Sequence, residues 1–190
     1  MNFVSIFPIF QIDNFNSINK ITLRELKIND PVEVKRIFEI YNIHEIKQYL
    51  PNDCFVNNFI DAKNELLYFY DLFYKKVGIF WGISIDNNLI GTCGFHEINK
   101  IHSKVKISCD LDMNFWNQGI MSKCLSVIIN YVFTEFNINR IEAYVETDNL
   151  KSIKLFQKLN FKKEGLLKQY EVRNIIHKDF YIYAKLKSEK

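Results

Sequence analysis

The chain has 190 residues, 48% hydrophobic and 25% charged, and carries a net charge of +3. That is enough chain for one domain with a real core, and too little net positive charge for a nucleic-acid or anionic-membrane binder. Its 17 Phe and 10 Tyr supply core material and argue against disorder.

The opening MNFVSIFPIFQIDNF is apolar, lacks a basic flank and is interrupted by Pro8, so it does not read as a signal peptide. No apolar run reaches the length of a membrane span. Four cysteines, Cys54, Cys93, Cys109 and Cys124, form no C-x-x-C pair. They read as reduced thiols of a cytoplasmic protein, with Cys93 and Cys109 in the core and no metal site. His96 and His102 read as loop histidines.

Phe3 to Ile12 reads as extended, and Ile21 to Leu26 alternates as a strand. Asn29 or Asp30 caps a helix with Pro31 at its first position, running to about Tyr41. A second helical stretch starts near Asp53 and ends at Gly78. Ile79–Asp86 and Leu89–His96 read as strands joined by a tight turn at Asn87-Asn88, since Asn tolerates positive φ. Val105–Met113 is the next strand. Trp116-Asn-Gln-Gly-Ile-Met then opens a helix to about Phe136, with Met121, Leu125, Ile128, Val132 and Phe136 on one face. Arg140–Glu146 is a strand, and Asn149–Leu159 is a short helix capped by Asn149. Asn160 suits a left-handed exit. Phe161–Glu171 and His177–Leu186 are the last strands. The residues 1–190 form a single domain with an α/β sheet and helices packed on it.

Two units carry chemistry. A strand entering Trp116-Asn-Gln-Gly-Ile-Met and a helix aims several backbone N–H groups at one point, where the helix dipole favours a phosphate. Gly119 leaves room for the ligand. By itself such a glycine is more often only a turn. The second unit, Asp148-Asn149-Leu-Lys-Ser152 through Phe161, is at the least a capped helix start.

In this order and about 30 residues apart, the two units resemble the GNAT superfamily of N-acetyltransferases, closest to its RimJ/RimL-type group. Phe7-Pro8, Leu23-Arg24, Leu89-Ile-Gly91-Thr-Cys-Gly94, Phe161-Lys-Lys-Glu-Gly165 and His177-Lys-Asp179 extend the resemblance along most of the chain. It implies an α+β GNAT fold: a mixed sheet of about seven strands, helices on both faces, and a splayed central strand pair. It further implies an acyltransferase that moves an acetyl group from acetyl-CoA to a primary amine by direct transfer, without metal. The acceptor expected for the group is a protein N-terminal α-amine of the ribosomal-protein type. A polyamine or antibiotic acceptor, and a non-catalytic CoA-binding module, stay open as alternatives. So does a homodimer.

The resemblance also implies site residues. Gln118, Gly119, Ile120, Met121 and Ser122 would cradle the pyrophosphate of CoA. Leu111 and Met113 would pair with the pantetheine, and a backbone N–H near Met113 would polarise the thioester carbonyl. Asn149, Ser152 and Phe156 would line the same arm. Phe156 stands where many relatives carry a Tyr that protonates the thiolate, so Ser152 is the candidate acid. Glu171 matches by spacing a Glu proposed as base in Rim-type enzymes and is the candidate base, favoured further because Lys106 stands where many relatives carry another Glu.

Overall fold

A computed structural model describes residues 7–13 and 20–189. Residues 3–6 of the expected first extended segment lie outside the described residues. Eight strands form one sheet: β1 (Phe10–Ile12), β2 (Ile21–Arg24), β3 (Ile79–Ile85), β4 (Asn88–Asn99), β5 (Lys104–Leu111), β6 (Arg140–Glu146), β7 (Lys162–Arg173) and β8 (Ile176–Leu186). The helices are α1 (Pro31–Tyr41), α2 (His44–Lys47), α3 (Phe59–Tyr74), α4 (Ile120–Glu135) and α5 (Leu150–Lys158). The strand order is β1-β2-β3-β4-β5-β6-β8-β7. Every neighbouring pair is antiparallel except β5 and β6, which run parallel.

The sheet is covered on both faces. On one, α4 and α5 bury Leu125, Ile128, Val132 and Phe156 against Trp81, Cys93 and Phe95. On the other, α1 and α3 bury Ile37, Ile40, Leu66 and Phe69 against Phe80 and Leu89. β3 is therefore apolar on both sides, and its residues Ile79–Ser84 are all buried. That explains why it reads as a continuous apolar run instead of an alternation. Each large side chain so buried contributes roughly 1.5–3 kcal/mol.

The caps follow the sequence closely. The Asp30 carboxylate accepts from Val32 N–H at 2.9 Å, and Pro31 follows at the first helical position. Asn160 takes φ 61°, as expected of a left-handed exit. The β3–β4 turn sits one residue earlier than expected, on Asp86 and Asn87, both with positive φ (50° and 64°). Two positive φ values in succession give the mirror-image turn that matches strand twist.

The helix expected from Asp53 begins only at Phe59. Asn58 accepts from both Ile60 and Asp61 N–H (2.8 and 2.9 Å), which sets the start there. Asn52–Cys54 form a separate 3₁₀ turn.

The strand pair that matters for function is β5–β6. It is paired only at Lys104↔Arg140, Val105↔Ile141 and Lys106↔Glu142. Beyond Lys106 the strands part. Asp112 N–H bonds Ile90 C=O at 2.8 Å on the β4 side. Antiparallel pairs alternate, so the N–H and C=O of Leu111, Cys109 and Ile107 face away from β4 and into the gap.

Candidate active site

The gap between β5 and β6 opens into a cleft of about 1320 Å³ bounded by α2, α3, the segment before α4, α5 and β7. Its wall includes Leu111, Gly119, Ile120, Met121, Ser122, Asn149, Ser152, Phe156 and Glu171. The sequence placed these residues in one site from segments up to 60 positions apart, and the fold puts them along one cavity.

Gly119 is the N-cap of α4 with φ 76° and no side-chain cap. A Cβ there would meet nothing closer than Ser122 Oγ at 3.9 Å, so the space beside it is open. The first acceptor taken by the helix is Gly119 C=O, from Lys123 N–H at 3.1 Å. The N–H groups of Ile120, Met121 and Ser122 find no acceptor among the described residues, which leaves three parallel donors at the positive end of a 16-residue helix. Open space, free donors and a gap in the sheet fit a phosphate followed by an extended arm.

Asn149 caps α5 by accepting from Ser152 N–H at 3.1 Å. The cap uses Ser152's backbone, and its hydroxyl has no hydrogen-bond partner among the described residues. Phe156 is buried edge-on to Phe161, 5.2 Å between ring centroids.

Met113 lies past the end of β5, in a 3₁₀ turn, with its side chain exposed. The turn forms because Asp112 caps it, accepting from Asn114 N–H at 3.0 Å. Gln118 is expected to offer its backbone N–H; its side chain donates to Asn114 C=O at 3.0 Å. The open strand donors are those of Ile107, Cys109 and Leu111.

Two residues read from sequence as a loop histidine and a core thiol belong to the cleft wall. His96 is on β4, not in a loop, and its Nε2 lies 3.0 Å from Ser108 Oγ. Burial is the main influence on it and lowers its pKa. Cys109 is only part-buried and lines the cleft, while burial holds its thiol well above the usual range. Among the described residues no group of three His, Cys, Asp or Glu side chains converges as for a metal.

Glu171 lies on the cleft wall on β7, with Arg173 Nη2 at 2.5 Å from its carboxylate. The same guanidinium donates to buried Glu146 at 3.1 Å. Lys106, in place of a carboxylate, pairs with Glu97 at 2.8 Å and lies over the Tyr144 ring.

Sequence reasoning missed the carboxyls of α3 and β5. Glu65 and Asp110 both line the cleft. Burial, then the nearby charges of Asp110 and Asp53, raise Glu65 to about 7. Burial raises Asp110 to about 6 against a weak opposing bond from Tyr41. The strand Lys104–Leu111 alternates polar and apolar residues, so Asp110 stands at an ordinary polar position and gives no local signal.

The acetyltransferase (GNAT) domain family model matches residues 20–162. The chain belongs to the GNAT acetyltransferases. It is similar to the uncharacterized N-acetyltransferase YoaA of Bacillus subtilis, with 31% identity over 183 residues, 95% of this chain and 98% of that protein. To the uncharacterized N-acetyltransferase p20 of Bacillus licheniformis it is 44% identical over 103 residues, 54% of this chain and 58% of the relative. Among solved structures, RimL, the ribosomal L7/L12 alpha-N-protein acetyltransferase in complex with coenzyme A, has the same fold. There the TM-score is 0.81 at 22% identity, over 95% of this chain and 100% of that one. No helix among the described residues of this GNAT acetyltransferase is long and apolar enough to cross a membrane.

Proposed function

We propose that this acetyltransferase moves the acetyl group of acetyl-CoA to the α-amine of a protein N-terminus, by direct transfer through a ternary complex. The observation that carries the acetyl-CoA part is the pairing of the β5–β6 gap with the free N–H groups at the start of α4. The N–H groups of Ile120, Met121 and Ser122 hold the pyrophosphate, and the open edge of β5 at Cys109 and Leu111 takes the extended arm. Asn149, Ser152 and Phe156 form the opposite wall. The protein-acceptor part is supported by the shared fold of RimL, an alpha-N-protein acetyltransferase.

An α-amine is largely protonated below its pKa of about 8, so a cleft group must take a proton before attack. Glu171 is the base proposed from its spacing in the sequence. Its charge is already matched by Arg173. The Leu111 N–H, pointed into the gap, is placed to polarise the thioester carbonyl. Ser152, whose hydroxyl is unengaged, is placed to give a proton to the departing sulfur.

A second reading, a small cationic amine such as a polyamine, is favoured by carboxyls on the cleft wall with no matching cation. One experiment tests both: thiol release from acetyl-CoA against peptides with free N-termini, polyamines and amine antibiotics. Release with peptides alone supports the N-terminal reading, release with polyamines alone selects the second, and none with any amine removes catalysis.

A further inference from the structure

We propose that Glu65 of α3, with Asp110 of β5 beside it, seats the acceptor ammonium and that Glu65 takes its proton. This assignment rests on the acetyl-transfer reading and replaces Glu171 in the role of base.

Three observations carry it. First, the position. Asp110 is the neighbour of Leu111 on the open stretch of β5, and its side chain lies on the α1 face, 3.5 Å from Tyr41 Oη. The carboxyl thus stands directly beside the strand edge that receives the acyl arm. Glu65 faces it from α3 across the same cleft.

Second, the absence of a counter-ion. Glu65 makes no hydrogen bond or ion pair among the described residues, and Asp110 has only the long bond from Tyr41. The groups that interact electrostatically with Glu65 are acidic or neutral: Tyr41 from α1, Asp53 and Cys54 from the segment before α3, Tyr68 on α3 itself, and Asp110; His96 of β4 and Lys106 of β5 line the same cleft, the latter paired with Glu97. Arg173 reaches this set only through the Cys54 thiol, on which its charge acts. Two uncompensated carboxyls in a part-buried cleft attract one cation, and an ammonium brings both a charge and a proton to give.

Third, the contrast with Glu171. The Glu171 carboxylate is already held by Arg173 Nη2 at 2.5 Å, so an incoming ammonium would have to displace that cation. Glu65 gains by protonation, and its pKa of about 7 matches a general base working near neutrality.

The proton balance closes. The ammonium gives one proton to the Glu65 carboxylate. The neutral nitrogen bonds to the acyl carbon and the C–S bond breaks. The nitrogen's second proton reaches the departing sulfur through Ser152, which gives one proton and receives another. Glu65 then releases its proton to solvent.

The test uses the full chain with Glu65→Gln, Glu65→Asp and Glu171→Gln. Thiol release from acetyl-CoA is followed across the neutral pH range with hexamethylenediamine and with a peptide bearing a free N-terminal serine. Binding of acetyl-CoA is measured by calorimetry. For Glu65→Gln, kcat/KM is expected to fall roughly 10²–10⁴-fold at neutral pH with both probes, with acetyl-CoA affinity unchanged. The limb near pH 7 disappears, leaving only the amine's own titration. Glu65→Asp recovers part of the rate, and Glu171→Gln loses far less. A Glu65→Gln enzyme that keeps the wild-type limb overturns the assignment. A wild type that binds acetyl-CoA but releases no thiol with either probe sinks the acetyl-transfer reading itself, and this role with it.

Discussion

The indole N–H of Trp116 donates to the carbonyl of Leu111 at 2.6 Å. The bond ties the segment before α4 to the end of β5 and uses the Leu111 carbonyl, leaving its N–H free in the gap. From α5, Lys151 Nζ lies 3.6 Å over the same ring. One side chain thus joins three elements at the mouth of the cleft. Trp116→Phe keeps a ring for Lys151 and deletes the donor. The expected cost is about 1 kcal/mol, read as a melting temperature lower by roughly 2–4 °C. Acetyl-CoA should bind several-fold more weakly by calorimetry.

Acetyl-CoA itself should stabilise the fold. A ligand bound only by the native state at a hundred times its Kd adds about 2.7 kcal/mol, or roughly 5–10 °C for a chain of this size. Thermal melting with and without the ligand measures it. An unchanged melt at millimolar acetyl-CoA would remove the assignment of the cleft.

Gly119 separates backbone strain from ligand space. Its φ of 76° penalises Val by roughly 1–2 kcal/mol, while Asn tolerates that conformation. The room around a Cβ is open. Gly119→Asn should therefore melt near the wild type yet lose most CoA affinity, and Gly119→Val should lose both. Wild-type affinity in Gly119→Asn would show that the open space is not the ligand's.

Ser152 and Asn149 divide two roles. Asn149 accepts from the Ser152 backbone N–H, so Asn149→Ala should cost about 1 kcal/mol of stability. Ser152→Ala leaves that bond intact and should melt within about 0.5 kcal/mol of the wild type. A large fall in kcat with an unmoved melt would mark the hydroxyl as the proton donor; an unmoved kcat would return it to the cleft wall.

The raised pKa of Glu65 makes stability fall with pH. The folded state holds this proton more tightly than the unfolded one, so the stabilisation is complete below the ordinary carboxyl value of 4.5 and is lost as pH rises to about 7. Above that range the unmatched charge burdens the fold. Glu65→Gln should raise stability above neutrality by an amount on the order of 1–2 kcal/mol after screening, and change little near pH 4. Melting curves across pH check this, and equal effects at both ends would contradict it.

The strands and caps were legible because their signals are local: Asp30 before Pro31, Asn149 before its helix, Asn160 after it. The cleft-lining stretch from Gly119 to Ser122 was legible for the same reason, since it is one turn and one helix start. Glu65 was not, because nothing in α3 shows that β5 will bring Asp110 opposite. Nor was the break before Phe59, where Asn58 outweighed a helical pattern that begins earlier. Asp110 was no easier to see, because it takes a polar position in a regularly alternating strand.

The three paired positions of β5 and β6 also say how the molecule is put together. From β1 to β5 the sheet is a meander whose rungs are made by neighbours in sequence, and β6, β8 and β7 form a second set with β8 in its middle. Among the described residues the strand register between the two sets holds at those three positions, at one end of a seam that opens beyond Lys106. On the proposed reading, acetyl-CoA lying along the seam takes the place of the absent strand contacts, so the co-substrate is also the missing piece of the sheet.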